Sequence, residues 1–399
     1  MKFCAVICEY NPFHNGHLYQ LKKIREESGC DKILCVMSGN FTQRGEAALF
    51  SKYDRARHAV ENGADVVIEL PTAFAVAPAE IFAEGAVSLI AAIPSVSTLA
   101  FGCESGTKEE FLAAARATLS ESKEFKALMK ESMKDGTSYV KARTDAALAL
   151  NSDIDEALLK SPNNILGVEY CRALLNRYSD ISPLPIERVG GGYADTSMLS
   201  DFSSATALRG ALLMEKRPAK ALKRNLPKDV YADCKGWTPC PFEKTALTAL
   251  LTAPSEKVAD CTDCSEGLEN RLQAMTRSNP EYNAMLKKTV SKRYTLSRLK
   301  RILAENLLGL RLRDVKDYLN SALYLNVLAA EQADGENILS ELSKSSLPLL
   351  VRKSDTLSLK KSARECFEKD VQANDVYNVL TGSTHNEFET LFVERKGRK

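Results

Sequence analysis

Residues 3–17 read FCAVICEYNPFHNGH, in which an apolar run passes through a polar turn to a pair of histidines. The run at residues 3–8 contains only apolar residues, as is typical of a strand buried on both faces of a parallel sheet. Beyond the turn, apolar residues recur three or four positions apart, which predicts a helix from His17 to Glu27. The stretch therefore predicts a strand–turn–helix unit at the start of an α/β domain.

The same alternation of apolar runs and helical patterns continues to residue 102. Three further strands are predicted at residues 33–37, 66–70 and 96–102. A helix is predicted at residues 46–62. Strands that alternate with helices form a parallel, doubly wound sheet, in which ligands bind beyond the carboxyl ends of the strands. The loops expected to line a binding site are therefore residues 9–16, 38–45 and 103–106.

The rest of the chain has mainly helical patterns. A last strand is predicted at residues 185–189, and a basic stretch with two prolines, residues 216–228, marks a domain boundary. We therefore predict a Rossmann-like (HUP-type) parallel-sheet domain at residues 1–228 and a mainly α-helical domain at residues 229–399. The later helices are predicted at residues 108–134, 139–150, 163–178, 242–251, 267–275, 296–308 and 313–331, and residues 347–351 resemble a strand.

Composition limits the kinds of partner and compartment. The 399 residues include 54 Lys and Arg against 52 Asp and Glu, a formal net charge of +2. A nucleic acid would therefore have to bind a local basic patch. The amino terminus lacks the features of a secretion signal and the 11 cysteines are scattered, which indicates reduced thiols in the cytoplasm. Pro94 breaks the uncharged stretch at residues 85–103, so no membrane span is expected.

The histidine pair lies where the first helix begins. Such a helix end offers free backbone N–H groups and a positive dipole to an anion. His14 and His17 can both reach a phosphate there, and Gly16 leaves room for a nucleotide to approach the backbone. This spacing is the HxGH pattern of nucleotidyltransferases, whose histidines stabilise the charge that builds on the transferring phosphate. The alternative interpretation is a structural turn with two exposed histidines.

A second phosphate-binding element is predicted at residues 203–209, SSATALR. Ser204 and Thr206 are suited to cap a helix, and Arg209 adds a positive charge one turn further on. Alone, the pattern is weak, because capping hydroxyls often precede an arginine. Here it follows the histidine pair in the chain order of the SxTxxR element that closes the nucleotide site of the same superfamily.

Four segments together carry a family resemblance. They are EYNPFHNGH at residues 9–17, MSGNFTQRGE at residues 37–46, FGCE at residues 101–104 and SPNNILG at residues 161–167. On these motifs the chain resembles the bacterial tRNA(Met) cytidine acetate ligases over most of its length. The resemblance implies an enzyme that activates acetate with ATP as acetyl-adenylate and then acetylates N4 of the wobble cytidine of elongator tRNA(Met).

The resemblance also implies the residues of the site. His14 and His17 would be catalytic. The residues that would bind ATP are Ile7, Cys8, Glu9, Tyr10, Asn11, Pro12, Phe13, His14, Asn15, Gly16, His17, Leu18, Tyr19, Gln20, Gly102, Asn163 and Arg188. Mg²⁺ is expected with the pyrophosphate, because a triphosphate needs charge neutralisation, and no protein ligand for a metal is expected.

Some of these positions have alternative interpretations. Arg44 could hold acetate or a phosphate, or could pair with an acidic residue of the following helix. Asn163 follows a proline at a helix start and could simply cap that helix. Ordinary nucleotidyltransferases place a small residue, an aromatic and Asp before the proline of the turn, where this chain has Glu9, Tyr10 and Asn11. This departure suggests a differently shaped acceptor pocket.

Basic residues indicate an RNA-binding surface. The candidates are Lys287, Lys288, Lys292, Arg293, Arg298 and Arg301. Tyr282 and Tyr294 lie among them and could stack on bases. The basic stretch at residues 216–228 is a second candidate. The alternative interpretation of both is a solvated helix face.

Other residues and functions stay open at this point. A zinc site could in principle form from Cys234, Cys240, Cys261 and Cys264, although free thiols are expected. His58 is expected on a helix surface, and His385 has no evident partner. The alternative functions are a nucleotidyltransferase that adenylylates a small phosphorylated acceptor and a non-catalytic, ATP-sensing RNA-binding protein. The oligomeric state cannot be predicted.

Overall fold

The computed structural model describes residues 1–120, 122–134, 137, 139–151, 153–189, 203–214, 220–265, 267–321 and 323–395. The strands are β1 (Phe3–Cys8), β2 (Lys32–Ser38), β3 (Val66–Leu70), β4 (Val96–Cys103), β5 (Ser182–Glu187), β6 (Leu325–Glu331), β7 (Leu349–Leu350) and β8 (Leu391–Val393). The helices up to the second phosphate-binding element are α1 (Asn15–Glu27), α2 (Lys52–Glu61), α3 (Thr72–Ala75), α4 (Ala79–Ala91), α5 (Lys108–Thr118), α6 (Lys123–Lys134), α7 (Tyr139–Leu150), α8 (Glu156–Lys160), α9 (Pro162–Asn176) and α10 (Ala205–Met214). The later helices are α11 (Lys220–Asn225), α12 (Lys228–Asp233), α13 (Phe242–Thr252), α14 (Ser255–Ala259), α15 (Leu268–Ser278), α16 (Tyr282–Thr289), α17 (Leu296–Leu308), α18 (Leu312–Leu319), α19 (Gly335–Leu342) and α20 (Lys361–Thr381).

The strands form one sheet in the order β5-β4-β1-β2-β3-β6-β7, with β8 beside β6. The pairs from β5 to β3 are all parallel, and β6 runs antiparallel to β3. The predicted α/β fold with a parallel, doubly wound sheet is confirmed. The chain winds from β1 toward β3 on one side and returns to β4 and β5 on the other. The carboxyl ends of β1 and β4 therefore flank the switch point at which such sheets bind ligands.

Helices cover both faces of the sheet. Phe3, Ala5 and Ile7 of β1 belong to a core that includes residues of α4 and α9, whereas Cys4 and Val6 belong to a second core with residues of α1 and α2. Both sets are buried, which is why the first strand is apolar at every position. The strand and helix that carry the histidine pair are thus held by packing on both sides.

The structure corrects three predicted helices. Residues 313–331 are not one helix, because α18 ends at Leu319 and Leu325–Glu331 is strand β6. A short apolar run cannot be assigned to strand or helix from periodicity alone. The helix predicted at residues 46–62 begins only at Lys52, where the Ser51 side chain caps it by accepting the N–H of Asp54 at 3.1 Å. The segment at residues 108–134 divides into α5 and α6.

The sheet extends beyond the boundary expected at residue 228, since β6 pairs with β3. Buried ionic groups also join distant parts of the chain: the Lys52 ammonium lies 2.7 Å from a Glu69 carboxylate oxygen and also contacts Glu387. The division into domains 1–228 and 229–399 stays a prediction. In the described ranges, no helix combines the length and apolar character that a membrane crossing requires.

Candidate functional site

A cleft of about 180 Å³ opens at the switch point, beyond the carboxyl ends of β1 and β4. The predicted site residues that line it are Ile7, Cys8, Glu9, Tyr10, Asn11, His14, His17, Gln20, Arg44, Gly102, Asn163, Arg188, Ser204, Thr206 and Arg209. A smaller adjoining cavity adds Gly16 and Tyr19. Pro12, Phe13, Asn15 and Leu18 line neither cavity. The fold therefore brings the two phosphate-binding motifs, nearly 190 residues apart in the chain, to one site.

The two histidines form the amino-terminal cap of α1. His14 is the N-cap residue, and its Nδ1 accepts the N–H of Gly16 at 3.0 Å. Nδ1 of His17 accepts the N–H of His14 at 3.3 Å, which completes a reciprocal capping box. The two rings are stacked, with centroids 3.7 Å apart. Because each Nδ1 accepts a hydrogen bond, each neutral imidazole carries its proton on Nε2.

Burial keeps both imidazoles neutral. Burial lowers the pKa of His14 to about 3, and the nearby Arg188 and Arg209 add to the effect. Burial also lowers the pKa of His17, with further contributions from His14 and Arg188. Two neutral rings with protons on Nε2 are hydrogen-bond donors. Because they carry no charge, no charge is buried when the cleft holds no anion. With the positive end of the α1 dipole, they suit a phosphate.

Close packing fixes the positions of these rings. A Cβ added at Gly16 would lie 2.8 Å from Cε1 of His14, so the glycine leaves room for the imidazole itself. Tyr10 packs on His17 with ring centroids 4.8 Å apart, and Phe13 lies 5.6 Å from the same ring. Tyr10 has a positive φ of 49°, an uncommon conformation for a non-glycine residue. The turn before the helix is therefore shaped around the two imidazoles.

The SxTxxR element lines the same cleft. Ser204 accepts the N–H of Ala207 at 3.1 Å, as expected for a capping hydroxyl. The Thr206 hydroxyl accepts from Arg44 at 3.1 Å and from Arg209 at 3.4 Å. Arg209 also donates to the carbonyl oxygen of Asn11 at 2.8 Å. This network places two guanidinium groups beside the turn that follows β1.

Glu46 connects this network to α17. Its carboxylate lies 3.7 Å from Arg209 and 2.6 Å from the Lys300 ammonium. Although burial opposes ionisation, Lys300 and Arg209 hold the pKa of Glu46 below its usual value. A Cβ at Gly45, whose φ is +71°, would come within 2.3 Å of the Lys300 backbone. The loop at residues 38–45 is thus fitted against a helix of the C-terminal half.

Asn163 and Arg188 approach the cleft from the side of β4 and β5. The Asn163 side chain donates to Glu104 at 2.5 Å, and Ser161 donates to the same carboxylate at 2.9 Å. Asn163 therefore makes a specific contact and is not simply a helix cap. Arg188 is exposed, and the described part of the chain contains no acidic side chain paired with it. It can accordingly receive an anionic ligand.

Some lining residues could not be found from the sequence. Phe82 of α4 and Leu166 and Tyr170 of α9 form an apolar wall with Phe101 of β4. Their helices reach the cleft only because the sheet brings them there. Arg55 is also missed: it is fully buried and donates to the carbonyl oxygens of Glu9, at 2.6 Å, and Ser38, at 3.1 Å. It thereby ties the ends of β1 and β2 together.

The structure separates the candidate RNA-binding lysines from the candidate arginines. Lys287, Lys288 and Lys292 are exposed at the end of α16 and the turn after it. Arg301 is buried and paired with Asp263, and Arg298 donates to the carbonyl oxygen of Asp263 at 2.8 Å. These two arginines therefore hold the segment before α15. Arg293 lies in the turn between α16 and α17.

The two tyrosines of the predicted RNA surface make contacts within the protein. Tyr282 is only 4% exposed, so the expectation that it stacks on bases is wrong. Tyr294 packs under the Arg298 guanidinium, which lies 5.3 Å from the ring centroid. Lys216 and Arg217 of the other basic stretch lie outside the described residues.

The cysteines and the remaining histidines have structural surroundings. Within the described residues, no three His, Cys, Asp or Glu side chains come together as metal ligands. Cys234 packs in a different core from Cys261 and Cys264. The expectation that His58 is a surface residue is wrong: it is fully buried, with Nε2 2.8 Å from Asp233. His385 does have a partner, since its Nδ1 lies 2.9 Å from Glu389.

The sheet order, the helix-capping histidine pair and the guanidinium groups around one cleft define a nucleotidyl transferase. In agreement, the family model described as HIGH Nucleotidyl Transferase matches residues 1–390. The tRNA(Met) cytidine acetate ligase of Clostridium botulinum (strain Hall) is 33% identical over 397 residues, covering 96% of this chain and 95% of the relative. That of Clostridium acetobutylicum is 35% identical over 407 residues, covering 96% and 97%.

Solved structures agree with these relatives. The crystal structure of apo Thermotoga maritima TmcAL matches with a TM-score of 0.92 and 32% identity, covering 99% of this chain and all of that one. The same protein bound with α-thio ATP matches with a TM-score of 0.88 and 30% identity, covering 99% and 100%. The chain therefore belongs to the family of tRNA(Met) cytidine acetate ligases, and the resemblance inferred from its motifs is confirmed.

Proposed function

We propose that this chain is an ATP-dependent ligase that forms acetyl-adenylate and acetylates N4 of the wobble cytidine of elongator tRNA(Met). The observation that carries this proposal is the pair of neutral imidazoles at the start of α1, in a cleft that also contains Arg44, Arg188 and Arg209. Such a cleft is suited to a triphosphate. The name shared by the relatives, tRNA(Met) cytidine acetate ligase, indicates acetate as the acyl donor and a cytidine of tRNA(Met) as the acceptor.

In the first step, a carboxylate oxygen of acetate attacks the α-phosphorus of ATP and pyrophosphate leaves. The protein's part is to orient the phosphates and to stabilise the negative charge that develops. The Nε2–H groups of His14 and His17 are in place to donate to phosphate oxygens. Arg188 and Arg209 add positive charge, and the network through Thr206 keeps Arg44 and Arg209 from moving apart.

Mg²⁺ is the cation expected with a triphosphate. Among the described residues that line the cleft, Glu9 is the one carboxylate, so these residues do not form a cage for Mg²⁺. We therefore assign no protein ligand to a metal. Within the chain, the arginines and the amino end of α1 are the groups that neutralise the charge of the triphosphate.

In the second step, the amine of the cytidine attacks the acetyl carbonyl and AMP leaves. The tRNA must therefore reach the same cleft. We place its electrostatic contact at Lys287, Lys288 and Lys292, which are exposed near the start of α17. The Lys300–Glu46–Arg209 contacts connect α17 to the cleft, so RNA bound there would lie against an element that is fixed relative to the nucleotide.

The test is the incorporation of radiolabelled acetate into tRNA. We expect label in elongator tRNA(Met) only when ATP is present, together with one AMP and one pyrophosphate for each acetyl group. Pyrophosphate release that needs a small phosphorylated acceptor, without acetate, would identify an ordinary nucleotidyltransferase. Binding of tRNA with no formation of AMP or pyrophosphate would identify an RNA-binding protein that senses ATP.

A further inference from the structure

Glu9 is an acidic residue in a cleft that otherwise suits anions. It follows β1 directly, is partly buried, and lines the cleft with the two histidines. Its Oε1 accepts the backbone N–H of Gln43 at 2.7 Å. Among the described residues, no hydrogen bond is made to its Oε2. One oxygen is therefore fixed, and the other is available to a ligand.

The main chain at Glu9 is also held by a hydrogen bond. The buried guanidinium of Arg55 donates to the Glu9 carbonyl oxygen at 2.6 Å and to that of Ser38 at 3.1 Å. A residue held at its main chain and at one carboxylate oxygen loses little further entropy when a substrate binds, which favours a role in positioning or proton transfer.

Other groups in the cleft are poorly suited to accept a proton. His14 and His17 use Nδ1 to accept backbone N–H groups and present N–H at Nε2. Burial raises the pKa values of Cys8, Tyr10 and Tyr170, so these groups keep their protons. Among the described lining residues, Glu9 is the proton acceptor that remains.

We propose that Glu9 is the catalytic base of acetyl transfer. Its Oε2 accepts a hydrogen bond from N4 of the cytidine and takes the proton that this nitrogen loses. The bond from N4 to the acetyl carbon forms, the bond from that carbon to the AMP phosphate oxygen breaks, and its electron pair leaves with AMP. This inference rests on the proposed function, because it concerns the second step of that reaction.

The chemistry of cytosine fits this assignment. Its N4 amine is a hydrogen-bond donor, and a carboxylate that accepts from it is a common means of recognising cytosine. The same contact would distinguish cytosine from uracil, which presents an acceptor at that position.

The first test separates the two steps in Glu9→Gln. Transfer is measured in a single turnover from prepared acetyl-adenylate to unmodified elongator tRNA(Met). We expect it to slow by about 10²–10⁴-fold, the usual contribution of a positioned base. The loss in transfer should exceed the loss in acetate-dependent exchange of pyrophosphate into ATP by at least about tenfold, since a glutamine oxygen can still accept the Gln43 N–H.

The second test distinguishes proton transfer from structural support. Glu9→Asp retains a carboxylate and should transfer at least about tenfold faster than Glu9→Gln. The matched control is Glu84→Gln on α4. It also removes a carboxylate, which lies 2.7 Å from the Arg177 guanidinium.

Three outcomes would overturn the assignment. They are transfer by Glu9→Gln at the wild-type rate, equal losses in exchange and transfer, and an Asp variant as slow as the Gln variant. A wild-type protein without acetate-dependent exchange would instead refute the proposed function, and the inference with it.

Discussion

The imidazole rings of His14 and His17 are stacked with centroids 3.7 Å apart, and each accepts a backbone N–H through Nδ1. The chain thus uses its first helical turn to set the tautomer of both side chains. The cap is structural and functional at once, because the hydrogen bonds that begin α1 also direct the Nε2 protons to a ligand. Loss of one ring should therefore affect chemistry more than stability.

Asparagine substitutions test this relationship. His14→Asn and His17→Asn keep an acceptor for the backbone N–H groups but remove the Nε2 donor. We expect acetate-dependent pyrophosphate exchange to fall by about 10²–10³-fold for each variant, the typical effect of losing one such donor. The free energy of unfolding should change by less than about 1 kcal/mol. Exchange close to the wild-type rate would show that the rings do not contact the transferring phosphate.

Gly16→Ala tests how closely the first ring is fitted. The added Cβ would lie 2.8 Å from Cε1 and 3.0 Å from Nδ1 of His14, so the imidazole must move. We expect a loss of exchange activity of at least about tenfold, because small displacements of positioned groups are costly. Stability should change little, because the ~1 kcal/mol by which Ala favours a helix over Gly offsets the cost of moving the His14 ring. The control is Gly210→Ala on α10, where no atom lies within 4 Å of the new Cβ.

The sequence is sufficient for the first strand, the histidine pair and the Ser204–Arg209 element, because each rests on local patterns. It fails for β6, whose burial depends on pairing with β3 across more than 250 residues. The contact of Glu104 with Asn163 and the apolar wall of the cleft are likewise hidden, since Phe82 and Tyr170 resemble ordinary core residues until the sheet places their helices. The pairing of Lys52 with Glu69 and Glu387 depends on the same tertiary contacts.

The basic surface shows why charge alone misleads. In the sequence, Arg298 and Arg301 are candidates for RNA binding on the same grounds as the lysines. In the structure, both bind the segment around Asp263. Patterns of charge report how many basic residues are present. They do not report which of them have acidic or carbonyl partners in the fold.

The exposed lysines can be tested by salt dependence. Replacing Lys287, Lys288 and Lys292 together by Ala should weaken tRNA binding and lower the slope of log K against log[salt] by about 2–3, the value for three lost phosphate contacts. Acetate-dependent exchange without tRNA should continue. Arg298→Ala should instead lower stability, because its contacts are internal. An unchanged salt slope in the triple variant would place the RNA surface elsewhere.

Glu305 provides a test of stability against pH. It is fully buried on α17, where burial raises its pKa from about 4.5 to about 8, the hydrogen bonds of Thr262 oppose the rise, and Asp263 adds to it. The folded protein therefore binds a proton that the unfolded chain releases above pH 4.5, so stability declines as pH rises toward 8. Glu305→Gln mimics the protonated form and should remove this decline.

Relative to wild type, we expect Glu305→Gln to gain about 1.4 kcal/mol for each pH unit across that window, which corresponds to one proton. Urea unfolding at pH 5, 6.5 and 8 measures the difference, and Glu84→Gln is the control. The difference between the variants should be smallest at pH 5, because the unfolded wild-type chain, with an ordinary pKa of about 4.5, then still holds about a quarter of the proton. A constant difference between Glu305→Gln and wild type at all three pH values would mean that Glu305 is ionised in the folded protein. In that case Arg301 and the hydrogen bonds from Thr262 would outweigh the cost of burying its charge.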